Sequence, residues 1–183
     1  MKATDILMSE HRVIEKVIAT LETAANRLQS GQAVRPGFFI DAADFIKGFA
    51  DGCHHRKEEG VLFKAMQANG MPAGQGPIAV MLSEHEQGRK FTQGMRAAAQ
   101  RLQDGDASAR QSLVQNALGY AALLKQHIQK EDQVLFPMAS RVIPLDKQEQ
   151  VVKDFEKVEH IDTGEGVHEK YLALASALEK EMK

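Results

Sequence analysis

The chain has 183 residues, enough for one domain with a substantial core, and 43% of its residues are hydrophobic against 26% charged. This balance is typical of a folded globular protein. A net charge of −2 offers no basic surface, so a nucleic-acid partner is not expected. No apolar stretch is long enough to cross a bilayer and the N-terminus lacks a signal-peptide pattern, so we expect a cytoplasmic protein without a membrane partner. The single cysteine, Cys53, excludes an internal disulfide and is expected to be a small buried hydrophobe.

Stretches rich in glycine, proline and aspartate divide the chain into long helical segments. The first four are residues 5–30, 38–69, 78–103 and 109–138. Each carries apolar residues at spacings of three and four, the pattern of one buried helical face, and only Pro137 interrupts them, near the end of the fourth. Because short connectors favour antiparallel neighbours, the sequence predicts an all-α fold with an up-down antiparallel four-helix bundle at residues 1–140. Two further helical segments predict a short helical C-terminal appendage, residues 141–183, packing on the bundle.

Two similar stretches place histidine and glutamate on one helical face. The stretch "CHHRKEEGVLF" has His54 four residues before Glu58, and the stretch "KQHIQKEDQVLFP" has His127 four residues before Glu131. Residues four apart lie on the same side of a helix, so each pair points in one direction. Both pairs continue the apolar face of their helix, which predicts that they point into the bundle.

The first and third helices each add one histidine to an otherwise apolar face. These are His11 and His85, and both end the sequence "SEH". Together with the repeated His-x-x-x-Glu pairs, this repeat predicts two similar helical hairpins related by approximate two-fold symmetry. Such symmetry would gather the matching residues around one central point.

The predicted interior would therefore contain four imidazoles and two carboxylates. Burying an unpaired carboxylate is costly, and no lysine or arginine lies on the four apolar faces to compensate it. If these were ordinary residues, several polar groups would be unpaired in one core. A pair of divalent or trivalent metal ions would supply the positive charge, with imidazoles as ligands and carboxylates as bridges. The predicted metal ligands are His11, His54, Glu58, His85, His127 and Glu131.

The order of these residues is a histidine, then His-x-x-x-Glu, then a histidine, then His-x-x-x-Glu. Over about residues 5–140 it resembles the hemerythrin-like (HHE cation-binding) family. The resemblance implies a four-helix bundle around two iron ions, without haem, joined by a bridging oxo or hydroxo group and two carboxylates. It also implies that the four histidines are terminal ligands and that Glu58 and Glu131 are the bridges.

The chain departs from the oxygen-carrying hemerythrins at two positions. Arg89 stands where those proteins have a fifth histidine, one turn after His85, so one iron would have an open position or take a ligand from elsewhere. Their last carboxylate is an aspartate five residues after a histidine, a spacing that Asp132 has here. Asp132 is therefore an alternative to Glu131 as the bridge.

The doublets in the second helix leave a choice of register. Rotating the helix would bring His55 and Glu59 inward instead of His54 and Glu58. The apolar face through Ala50 argues against this rotation, so we expect His55 and Glu59 to lie beside that face, in solvent or supporting the ligands.

The appendage contributes three further candidates, His160, His168 and Tyr171. The two histidines have the character of surface or capping residues. Alternatively, the appendage folds over one end of the bundle and brings His160, His168 or Tyr171 to the vacant iron position, so His160 and His168 are additional candidate metal ligands.

A histidine-rich site favours redox chemistry with small molecules over iron storage. A ferritin-like site needs Glu-x-x-His pairs on two bundle helices, and the one such pair, Glu165 with His168, lies outside the bundle. The expected small-molecule ligand is dioxygen, nitric oxide or peroxide, bound by a sensor or stress-response protein. The alternative is a peroxide- or nitric-oxide-metabolising enzyme. The sequence identifies no catalytic residue and no electron donor, and imidazole with carboxylate does not select iron over zinc or manganese.

Overall fold

The computed structural model describes residues 2–183, which fold into six helices without a strand. The bundle helices are α1 (Ala3–Gln29), α2 (residues 36–68), α3 (Pro77–Gln103) and α4 (residues 109–142), and the C-terminal helices are α5 (residues 145–164) and α6 (Val167–Glu181). Helix α2 packs on α3, α3 on α4, and α4 on α1, so the four long helices enclose one core. The predicted all-α helical bundle is confirmed. No helix within residues 2–183 has both the length and the apolar character needed to cross a membrane.

Three of the helices change from α-helix to the wider π-helix along their length. Helix α2 is α-helical at Pro36–Phe45 and Phe63–Ala68 and π-helical at Ile46–His55 and Glu58–Leu62. Helix α4 is π-helical at Glu131–Leu135 between α-helical Ala109–Lys130 and Phe136–Val142, and α5 changes from α-helix at Leu145–Lys157 to π-helix at Val158–Gly164. Turns of π-helix are uncommon and often mark functional sites. Here they contain the inward-facing histidine–glutamate pair of α2 and the glutamate of α4.

Pro137 does not end helix α4, which continues to Val142. A proline inside an α-helix lacks the donor N–H, and its ring clashes with the carbonyl one turn earlier. The π-helical segment that ends at Leu135 widens the turn just before the ring. The helix therefore extends past residue 138, where the predicted fourth segment ended.

The core consists of two apolar layers separated by a layer of histidines. Along α1, Leu7 belongs to one layer and Ile14 to the other, with His11 between them. Along α3, Met81 and Met95 flank His85 in the same way. The histidine layer is consequently shielded by apolar side chains on both sides.

The C-terminal helices complete both apolar layers. Val151 and Phe155 of α5 are buried in the layer that contains Leu7, while Ala175 and Leu178 of α6 are buried in the other layer. The division of the chain into a bundle at residues 1–140 and an appendage at residues 141–183 stays a prediction.

Phe155→Ala tests how strongly α5 contributes to the common core. Phe155 is 1% exposed, so its truncation leaves a cavity and should lower the free energy of unfolding by about 3–5 kcal/mol. Leu145→Ala, at a side chain that is 84% exposed on the same helix, should change it by less than about 0.5 kcal/mol. Urea unfolding followed by circular dichroism measures both. Equal, small effects of the two substitutions would contradict a shared core.

Candidate metal centre

The histidine layer brings polar side chains from all four bundle helices into two overlapping groups. Within each group, the potential ligand atoms lie within 4.8 Å of one another. One group consists of His11, His54, Glu58 and Glu131, and the other of His55, Glu58, His85 and His127. All of these residues are buried. The structure therefore brings together the six residues that the sequence predicted as ligands and adds His55.

Glu58 extends one carboxylate oxygen toward each group. Its Oε1 lies 3.5 Å from Nε2 of His54, on the same helix, and its Oε2 lies 3.4 Å from Nε2 of His85 on α3. The two oxygens of one carboxylate thus face imidazoles from different groups, which is the arrangement of a bridging ligand.

Glu131 has the corresponding position on the opposite side. Its Oε2 lies 3.2 Å from Nε2 of His11, and its Oε1 lies 3.3 Å from Nε2 of His127. His85 and His127 approach each other, with 3.1 Å between their Nε2 atoms. Two carboxylates and the imidazole Nε2 atoms consequently face a common central space.

The central oxygens lack hydrogen bonds. Neither oxygen of Glu58 or Glu131, nor Nε2 of His11 or His54, has a hydrogen-bond partner within residues 2–183. A buried polar group without a partner costs about 1–3 kcal/mol, and more when it is charged. These unpaired oxygens and nitrogens all face one space, as the ligands of a cation site would. Bound cations would accept their lone pairs.

His55 lies inside the bundle, so the expectation that it lies beside the apolar face is wrong. The side chain is 3% exposed, and its ring stacks on that of His85 with 3.8 Å between the ring centroids. The cause is the π-helical backbone at Ile46–His55. A π-helix turns through a smaller angle per residue than an α-helix, so the adjacent residues His54 and His55 can both point inward. The sequence pattern indicated His54 and His55 as alternatives, but both are buried inside the bundle.

Each of the five buried histidines has a carboxylate next to its outer ring nitrogen. The Nδ1 atoms of His11, His54, His55, His85 and His127 lie 2.7–2.9 Å from oxygens of Asp132, Glu10, Asp51, Glu59 and Glu84, respectively. An ionised carboxylate can only accept, so Nδ1 donates and carries the proton. In the neutral imidazole this leaves the Nε2 lone pair free, and carboxylates in this position are typical of histidines that bind metals.

Asp132 and Glu59, the alternatives to the two glutamates, occupy these outer positions. Asp132 accepts from His11 and from Arg12, and Glu59 accepts from His85 and from Arg89. Of the two expectations for Glu59, exposure to solvent or support of a ligand, the structure shows the second. Arg89 is bound to this outer carboxylate and not to the central space.

The protonation of the histidines depends on these carboxylates. Burial alone would lower the pKa of His54, but the charge of Glu58 and the hydrogen bond to Glu10 raise it to about 10. Burial would also lower the pKa of His127, but the hydrogen bond and charge of Glu131, together with other carboxylates, outweigh burial and raise this pKa. Burial and the neighbouring His85 lower the pKa of His55 well below its ordinary value. The carboxylates around His54 thus favour its protonated form, and a metal ion that binds Nε2 must displace a proton from that atom.

Sequence reasoning missed Glu10 and Glu84, although the repeat contained a signal for them. Each is the glutamate of an "SEH" sequence, and each accepts from a histidine of the following helix, His54 or His127. It also missed that Lys57 is completely buried and bound to Glu10. Nothing in the spacing identifies Asp51, because its role follows from the π-helical turn that brings its partner inward.

The candidates from the appendage lie outside both groups. His160 is exposed. His168 packs on Phe49, with 5.1 Å between the ring centroids, and its Nδ1 lies 3.5 Å from Glu159. Tyr171 packs directly over Gly48. The residue that joins His85 and His127 in one group is instead His55, from α2.

A third set of potential ligands adjoins the central layer, consisting of Glu10, Cys53, Glu159 and His168. The ammonium group of Lys57 already pairs with Glu10 and, at 2.7 Å, with Glu159. Burial raises the pKa of the Cys53 thiol to about 11, so it is protonated at neutral pH and poor as a metal ligand. Cys53 is buried, as a small hydrophobic residue would be.

The fold and the central groups define a class, that of all-α proteins built to bind cations between four helices. Residues 2–139 match the family described as hemerythrin HHE cation binding domain, and the chain belongs to this family. The chain is also similar to the uncharacterized proteins Rv1995 of Mycobacterium tuberculosis and Mb2018 of Mycobacterium bovis, with 25% identity over 98% of this chain and 70% of each relative. No solved structure matches it significantly.

His55→Ala tests whether the fifth histidine belongs to the metal site. It removes a potential ligand from one group only, so we expect the variant to bind fewer cobalt(II) ions per chain than the unaltered protein, measured by equilibrium dialysis and elemental analysis. His160→Ala, at an exposed histidine, should leave the number unchanged. Full loading of the His55→Ala protein with unaltered affinity would mean that His55 only packs against His85.

Proposed function

We propose that this protein binds two iron ions in the histidine layer and that this centre binds or reacts with dioxygen, nitric oxide or peroxide, in the manner of a sensor or stress-response protein. One observation carries the proposal. The carboxylates of Glu58 and Glu131 each extend one oxygen to each ligand group, and all four oxygens lack hydrogen bonds within residues 2–183. Two adjacent cations would satisfy both carboxylates, whereas a single cation would leave oxygens unpaired.

The two proposed ion sites have unequal ligand sets. His11 and His54 would hold one ion, and His55, His85 and His127 the other, with Glu58 and Glu131 shared between them. Imidazole and carboxylate together suit iron, which then supplies redox chemistry toward small oxygen and nitrogen species. The first ion would have fewer protein ligands, so an added small molecule would find room there.

The surroundings restrict what can reach the site. Every proposed ligand is at most 3% exposed, and the histidine layer lies between two apolar layers. A diatomic molecule or peroxide can enter such an interior, but a bulky substrate cannot. The outer carboxylates hold the imidazoles through Nδ1, so that Nε2 faces the centre, and Lys57 and Lys130 neutralise Glu10 and Glu84 from outside.

The unequal ligand sets also favour a second candidate, an enzyme that removes peroxide or reduces nitric oxide. An ion with room for an added ligand is suited to turnover as well as to reversible binding. The two candidates share the same ligands and differ in whether the bound molecule is released unchanged.

Glu58→Gln tests the bridging role. The amide keeps the size of the side chain but removes the charge that binds both ions, so iron should fall from two ions per chain to less than one. Glu59→Gln is the matched control because it changes a carboxylate outside the centre, where it pairs with His85 and Arg89. It should retain two ions, with affinity weakened by about 10–100-fold. Iron analysis and the near-ultraviolet charge-transfer absorption of the oxidised protein measure this. Normal loading of Glu58→Gln would overturn the bridged arrangement.

Steady-state assays separate the sensor from the enzyme. For a sensor, we expect stoichiometric spectral changes on adding peroxide or nitric oxide, reversed when the ligand is removed, without sustained consumption. Continuous consumption of either compound by the iron-loaded protein, and its loss in Glu58→Gln, would establish the enzyme instead. Absence of any spectral response to dioxygen, peroxide and nitric oxide would refute both candidates.

A further inference from the structure

A cleft of about 710 Å³ opens between α2 and α3, outside the histidine layer. This volume lies in the range of sites for small organic ligands. Two glycines of α2, Gly52 and Gly60, lie in its wall, and a side chain added at Gly60 would meet no other atom within 4 Å. The cleft is open to solvent, in contrast to the buried centre, so it can admit molecules that the centre cannot.

The cleft concentrates positive charge on a chain whose net charge is −2. Its cationic side chains are Lys47, Arg56, Lys64, Arg89 and Arg96, against two acidic ones, Asp51 and Glu59. Lys47 and Lys64 are exposed and form no ion pair within residues 2–183. These two ammonium groups, on the same helix, give the cleft positive charge that no carboxylate within residues 2–183 pairs with.

Two of the arginines can be redirected toward a ligand at little cost. Arg56 pairs with Asp162 at 3.4 Å, and Arg96 pairs with Asp44. Both arginine side chains are more than a third exposed, and exposed ion pairs contribute only about 0–1 kcal/mol each. Guanidinium groups bind phosphate and carboxylate through two parallel hydrogen bonds, so a multiply charged ligand could replace these weak pairs.

The inner wall of the cleft is formed by the carboxylates that support the metal ligands. Asp51 accepts from His55, and Glu59 accepts from His85 and Arg89. An anion that binds Arg89 would compete with Glu59 for the guanidinium group. Glu59 would then interact more strongly with His85. The cleft and the centre are thus joined by one chain of hydrogen bonds.

We infer that the α2–α3 cleft binds a small polyanion, a molecule carrying two or more phosphate or carboxylate groups. No aromatic side chain lines the cleft. Recognition therefore rests on the anionic groups and not on stacking against a ring. This inference goes beyond the proposed function and does not depend on it, because the cationic side chains are present whether or not iron is bound.

Isothermal titration calorimetry at low ionic strength tests the inference. The probes are fructose 1,6-bisphosphate and tricarballylate, which distinguish phosphate from carboxylate recognition, with fructose as the neutral control. The double variant K47Q/K64Q should bind the preferred probe at least about tenfold more weakly, because it removes two positive charges that would pair with the anionic groups. The double variant K153Q/K180Q removes the same charge at exposed positions elsewhere and should bind normally.

A second pair of variants uses the open space at Gly60. G60E places a negative charge in the cleft and should weaken binding, while G60Q, of nearly equal shape, should weaken it less. Iron content and the near-ultraviolet spectrum are recorded in every titration, and a spectral change on binding that is lost in K47Q/K64Q is expected from the link through Arg89. Failure of both probes to bind, or equal weakening by K47Q/K64Q and K153Q/K180Q, would overturn the cleft as a polyanion site. Either failure would leave the iron count, and so the proposed function, unchanged.

Discussion

The burial of two carboxylates in the middle of the bundle is the constraint on which the rest of the structure depends. Glu58 and Glu131 are fully buried between two apolar layers, and neither has a hydrogen bond within residues 2–183. In a low-dielectric interior such groups are strongly destabilising unless positive charge is brought to them. The four helices direct imidazole nitrogens at the same space, and cations of the kind that the family binds would supply the missing positive charge there.

The supporting shell repeats the symmetry of the ligands. Within each hairpin the glutamate before the single histidine, Glu10 or Glu84, accepts from the histidine of the next helix and is neutralised by a lysine, Lys57 or Lys130. The residue after each central glutamate supports a histidine as well. Each outer carboxylate therefore lies between a histidine and a lysine or arginine side chain. The sequence repeat is the direct consequence of this two-fold arrangement.

His55 breaks the symmetry. Its counterpart in the fourth helix is Ile128, an apolar core residue, so only one ligand group gains a third imidazole. The same side of the bundle carries the cationic cleft, whose wall includes the carboxylate partners of His55 and His85. Hydrogen bonds through Asp51 and Glu59 thus connect this side of the centre to the cleft.

The sequence by itself determined the helical class, the family and six of the seven histidines and glutamates that converge on the central space. Helical periodicity is a local property, so it shows from the sequence which residues share one helical face. Charged residues on an otherwise apolar face are costly to bury, and this identified His11, His54 and Glu58 as candidate ligands. Only the tertiary structure decided that His55 also points inward and that Asp132 lies on the outer ring nitrogen of His11. The reason is that a sequence pattern assumes a regular α-helix, whereas packing and the buried charges select where the backbone widens to a π-helix and thereby which neighbours share a face.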